Sequence, residues 1–85
     1  MTTNAEKVHM GRVAELGCLI CSSPAQVHHI REGQGMSQRA SNWLTIPLCL
    51  EHHSGSLSIH KTPKQFQAIY GSELDLLAQT IEMLA

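Results

Sequence analysis

The sequence predicts a small α+β fold: an N-terminal helix, a two-stranded hairpin leading into a short helix, and two C-terminal helices, stapled by metal. Three observations predict it. Cysteine and histidine recur as Cys18-x2-Cys21 and Cys49-x2-His52, two half-sites with metal-ligand spacing. Two short apolar stretches, Gln26 to Ile30 and Trp43 to Cys49, flank a polar segment that has no period. A threonine or serine stands just before each of three candidate helices, at Thr3, Thr62 and Ser72.

In chain order, Thr3-Asn4-Ala5-Glu6 reads as a capping box, because Thr3 and Glu6 can each bond the other's otherwise unpaired amide. A helix from about Asn4 to Leu16 follows and stops at Gly17. Cys18 to Cys21 forms a tight turn, and Ser22-Ser23-Pro24 breaks any helix before a strand at Gln26 to Ile30. Arg31 to Asn42 is a loop. Trp43 to Cys49 is the second strand, with Pro47 confining it to an edge or a strand end. A short helix begins near Leu50 and frays around Gly55. Thr62-Pro63-Lys64-Gln65 opens the next helix with a threonine cap, proline at the first position and a glutamine to close the box; it runs to Tyr70 and stops at Gly71. Ser72 caps the last helix, where Leu74, Leu77, Ala78, Ile81 and Leu84 make one apolar stripe, read as core rather than as a dimer surface.

Eighty-five residues make one domain, 1–85, near the size at which a hydrophobic core alone is marginal, and Trp43, Phe66 and Tyr70 are its only aromatics. A metal staple would compensate. Three cysteines cannot all pair within one chain, the N-terminus is polar and no apolar run reaches membrane-spanning length, so the expected setting is the cytoplasm, with reduced thiols and no membrane. A formal charge of −1 argues against a general basic nucleic-acid binder. It leaves room for positive charge concentrated at one site, since bound divalent ions are large local charges.

Cys18, Cys21, Cys49 and His52 suit tetrahedral zinc in a closed, structural site, because a two-residue gap lets a turn or helix start aim both donors at one ion. Alone, Cys18-x2-Cys21 favours zinc over a redox pair or two unrelated thiols only slightly. The second half-site uses the remaining cysteine and favours zinc.

His28, His29, His53 and His60 are then left over. Neighbours on a helix point about 100° apart, so His53 faces away from whatever His52 faces. This indicates a second centre. Adjacent strand residues point to opposite faces, so His28 and His29 can share a site only where the strand ends or twists.

Taken together, "VHHI", "SNW" and "LCLEHH" resemble the HNH endonuclease pattern, in which two strands and a helix form a ββα-metal finger. The order, with "PLC" leading into "HHSGSLSIH", is similar to small phage and prophage nucleases related to the recombination-enhancement (Ref) family. The resemblance covers roughly residues 18–60, leaving 62–85 as a helical C-terminal part.

That resemblance implies a metal-dependent DNA endonuclease. His28, His53 and His60 would hold a catalytic divalent ion (magnesium, manganese or zinc), His29 would be the general base, and Asn42 would orient it. Many zinc-containing members have Asp-His where this chain has His28-His29, and a cysteine where it has His52. Members with a second helix histidine often place it four residues on, here Leu57, whereas His60 lies seven on. Seven residues of helix rise about 10 Å, so Gly55 must break the helix for His60 to return. Arg31 and Arg39, beside the site, are read as phosphate contacts or as solvated charge. Family analogy adds DNA as partner, with a homodimer or a recruiting recombination protein. The alternative is a noncatalytic zinc-stabilised module that binds nucleic acid or protein. A zinc hydrolase of small substrates would need a closed pocket that so few aromatics do not build.

Overall fold

A computed structural model of the chain describes residues 2–31 and 41–85. It contains helices α1 (Asn4–Glu15), α2 (Leu50–Ser54), α3 (Pro63–Tyr70) and α4 (Glu73–Leu84), and strands β1 (Gln26–His29) and β2 (Thr45–Leu48). None of these helices is long and apolar enough to cross a membrane.

The N-terminal capping box forms as its residues require. Thr3 Oγ1 accepts from the Glu6 amide at 3.1 Å, and Glu6 Oε1 accepts from the Thr3 amide at 3.0 Å. Just past α1, Gly17 turns the chain at φ +80, in the left-handed region that a Cβ would strain.

The two strands are antiparallel, pairing Gln26 with Leu48, Val27 with Pro47, His28 with Ile46 and His29 with Thr45. A lone hairpin is marginal in water, so its stability must come from what covers it. Helices α1 and α4 pack on β2, and all four β2 residues are buried. Ile30, Ile46, Leu48, Phe66, Leu76 and Leu77 form the core cluster with Cys18 and Cys49. Pro47 fits because a two-stranded sheet has only edges. Trp43 lies outside the strand and is half exposed. Its ring packs on His9, whose Nε2 reaches the Trp43 carbonyl at 3.2 Å.

Two expectations need correction. The α4 stripe is not the core face: Leu74 and Ile81 are 50% and 54% exposed, and Ala78 is exposed too. The buried side runs through Leu76, Leu77 and Thr80, one register over. Polar residues disguise it in the sequence. Thr80 is buried because its hydroxyl donates to the Leu76 carbonyl at 2.9 Å, so no polar group is stranded. The second correction concerns α3, which begins at Pro63 as expected but without the side-chain box. Thr62 Oγ1 is spent on Ser58 instead, accepting from its amide at 3.0 Å and donating to its carbonyl at 3.2 Å.

That exchange closes the turn after α2. The helix ends at Gly55, where an added Cβ would collide with the Glu51 carbonyl and carboxylate. The chain then folds back, with the Ile59 amide donating to the His52 carbonyl at 3.0 Å and the Lys61 amide donating to Ser58 Oγ at 3.1 Å. His60 is thereby carried back alongside α2.

Candidate metal centres

The first cluster is built from two local turns. Between α1 and β1, the Ser22 amide donates to the Cys18 carbonyl at 2.9 Å and Ser22 takes φ 63, which points Cys18 and Cys21 the same way. The Ile20 amide donates to Cys18 Sγ at 3.4 Å, which holds the sulfur in place within the turn. On the other side, Cys49 is the N-cap of α2 and His52 lies in its first turn.

Cys18, Cys21, Cys49 and His52 each offer one donor atom, and these lie within 4.8 Å of one another, close enough to hold one metal ion. His52 Nδ1 is 3.7 Å from Cys18 Sγ and 3.2 Å from Cys49 Sγ, and the Cys21 and Cys49 sulfurs are 3.6 Å apart. Tetrahedral zinc with sulfur at about 2.3 Å and nitrogen at about 2.0 Å needs edges of roughly 3.5–3.8 Å. The 3.7 and 3.6 Å separations match those edges, the 3.2 Å one is shorter, and the donor set of three sulfurs and one imidazole nitrogen suits that ion. The Ser23 hydroxyl and then its backbone amide lower the Cys21 thiol to about 6, so a thiolate is available at neutral pH. The Cys49 thiol is pushed up: the His52 backbone amide pulls it down, but burial and the two neighbouring sulfurs outweigh that pull. A bound cation would reverse the balance.

The second cluster joins β1 to the return after α2. His28, His53 and His60 bring one nitrogen each within 4.8 Å of one another, and their rings meet edge-on or tilted at centroid distances of 4.6–5.1 Å. His53 and His60 approach through their Nε2 atoms at 3.0 Å. The other nitrogen of His53, Nδ1, donates to Gln26 Oε1 at 2.9 Å, which fixes the tautomer and leaves the Nε2 lone pair facing the cluster. Burial, then the nearby charges of His28 and His60, depress His53 to about 4; burial and His28 lower His60 as well. His53 and His60 are thereby neutral at pH 7, the form that binds metals.

His28 and His29 diverge as strand neighbours must. His28 is buried within the cluster, while His29 Nε2 turns to Asn42 Oδ1 at 2.7 Å. The two still line one cavity of about 200 Å3 with Val27, Arg31, His53 and His60. A second cavity of about 400 Å3 shares His28, Arg31 and His60 and extends to Ile59, Phe66 and Glu73. Arg31 is exposed at the mouth of both; Arg39, the other expected phosphate contact, lies outside the described residues.

Three residues that sequence reasoning missed support these groups. Gln26 holds His53. Glu6, read only as part of a helix cap, uses Oε2 to accept from Asn42 Nδ2 at 3.0 Å. Thr3 first and Asn42 next hold the Glu6 carboxyl below its usual range, consistent with an acceptor-only carboxylate. Glu73 lies 2.6 Å from His28. Its only sequence signal is the α4 N-terminus, where acidic residues are common for another reason.

A family described as a protein of unknown function, DUF968, matches residues 2–85. The chain belongs to the DUF968 family. The match takes in both clusters, α1 with Glu6, and α4 with Glu73. No curated protein matches the chain.

Proposed function

We propose that this DUF968 chain is a metal-dependent endonuclease that hydrolyses DNA phosphodiester bonds, with β1, β2 and α2 as an HNH-type ββα-metal finger. The observation that carries the reading is the pairing of a three-imidazole cluster with an oriented fourth histidine in one cavity. A noncatalytic module would have no use for that orientation.

His29 is the general base. Its Nε2–H donates to Asn42 Oδ1, so its Nδ1 keeps the lone pair that accepts a proton from water. Asn42 cannot flip without loss, because its Nδ2 donates to Glu6 Oε2 and to Thr2 Oγ1. His28, His53 and His60 hold a divalent ion, which when bound supplies positive charge to the scissile phosphate and the departing 3′ oxygen. As the water oxygen bonds to phosphorus, its proton passes to His29 and the bond to the 3′ oxygen breaks; the 3′ oxygen takes a proton from solvent, leaving a 5′-phosphate and a 3′-hydroxyl. Arg31 meets a flanking phosphate. Zinc on Cys18, Cys21, Cys49 and His52 ties the turn before β1 to the start of α2, and so fixes the finger on which the second cluster is built.

The bacterial cytoplasm, a phage or prophage setting, and a homodimer or recombination partner belong to the same reading. A plasmid-nicking assay across magnesium, manganese and zinc tests it. His29→Ala is expected to lower the nicking rate by about 10²–10⁴-fold with the fold and metal content retained. Cleavage at the wild-type rate by that variant would remove His29 from its role.

A further inference from the structure

Glu73 is the first residue of α4 and lies 45 positions beyond His28 in the sequence. Its side chain is 14% exposed and is directed at the end of β1. Oε2 lies 2.6 Å from His28 Nε2, and Oε1 accepts from the Arg31 backbone amide at 2.7 Å. A carboxylate at a helix N-terminus is favoured by the macrodipole alone, so a purely structural role is the account to beat. That account does not explain why this carboxylate reaches a histidine that is only 3% exposed and belongs to the three-imidazole cluster.

We infer that Glu73 is the positioning residue of the His28, His53 and His60 centre, holding His28 in one tautomer and one orientation toward a divalent ion. The inference rests on reading that cluster as an ion site. Two donors on one ion sit about 3 Å or more apart, whereas 2.6 Å is a short hydrogen bond, just under the about 2.7–2.9 Å usual for a charge-assisted N–H···O pair. Glu73 is therefore a partner of His28 rather than its co-ligand. A carboxylate accepts, so His28 Nε2 carries the proton and Nδ1 keeps the lone pair for the ion. The arrangement mirrors His53, where Gln26 takes Nδ1 and frees Nε2. Carboxylate partners of this kind fix ring orientation and raise ligand basicity.

The second oxygen extends the role. By holding the Arg31 amide, Glu73 fixes the main chain two residues past the strand end, from which the Arg31 side chain lines both cavities. One carboxylate thus sets a ligand and the neighbouring cation together.

The test is a titration of the full chain with zinc and manganese, comparing wild type with Glu73→Ala and Glu73→Asp. Thermal unfolding and the 15N shifts of the His28 ring are followed with one equivalent of zinc bound. Wild type is expected to take a second ion and to show His28 as a single Nε2–H tautomer. Glu73→Ala and Glu73→Asp are expected to bind that second ion about 10- to 100-fold more weakly, with the sulfur-ligated site unchanged and His28 tautomers mixed. Glu73→Asp is the critical variant, because it keeps the charge at the helix start and shortens the reach. If it binds like wild type with an unmoved His28, the role is structural and the inference falls. Failure of wild type to take a second ion overturns the ion-site reading and this inference with it. Two ions without nicking would overturn only the nuclease.

Discussion

The side-chain carbonyl of Asn42 accepts from His29 Nε2 at 2.7 Å, while the Asn42 amide nitrogen donates to Glu6 Oε2 at 3.0 Å. A side-chain amide can serve both neighbours, since it offers an acceptor and a donor on one planar group. The relay runs from the cap of α1 to the end of β1. Asn42→Asp places an oxygen opposite the Glu6 carboxylate, and the two negative charges repel. We expect the nicking rate to fall about tenfold or more, with Glu6→Gln in the same chain recovering part of the loss by supplying a donor. An unchanged rate in the single variant would leave Asn42 as a turn residue.

Cys18 is 3% exposed and its sulfur faces His52 Nδ1. Cys18→Ser is expected to lose one equivalent of metal and at least about 2 kcal/mol of stability, on the order of 10 °C in Tm for a chain of this size. Equal metal content and unaltered thermal unfolding would refute the site.

At Gly55 the backbone needs space rather than a special dihedral, because a Cβ there would strike Glu51. Gly55→Ala should displace the return that brings His60 to His53. The second ion should bind about tenfold more weakly while the sulfur site keeps its own, as measured by the same titration. Unweakened binding would mean that His60 is not a ligand.

The depressed value of His53, about 4, has a pH consequence for the metal-free chain. Unfolded histidine titrates near 6.5, so between about 6.5 and 4 the unfolded state binds more protons and stability falls as pH falls. His60 is shifted in the same direction. Chelated wild type should lose Tm steadily across that window, and His53→Ala should flatten the slope. Equal slopes in the two would show that His53 does not titrate as its surroundings dictate.

What was legible in the sequence was local. Cys18-x2-Cys21 and Cys49-x2-His52 are short turns whose ligands sit where spacing puts them, and Thr3 and Ser72 cap their helices as composition implies. The break at Gly55, inferred because His60 lies too far along an unbroken helix, is where α2 ends. The supporting carboxylates were not legible. Glu6 and Asn42 are 36 residues apart, and Glu73 and His28 are 45 apart, so no spacing rule links them. Misreading α4 has the same origin. Its inward side begins with Glu73 and includes Thr80, and an apolar template passes over a face whose polar members are satisfied by partners elsewhere in the chain.

The most direct measurement is anomalous diffraction from crystals of the protein grown with zinc and manganese. The account predicts two separate peaks per chain, one among Cys18, Cys21, Cys49 and His52 and one among His28, His53 and His60. A single peak at the sulfur site, with the three imidazoles turned apart, would contradict it.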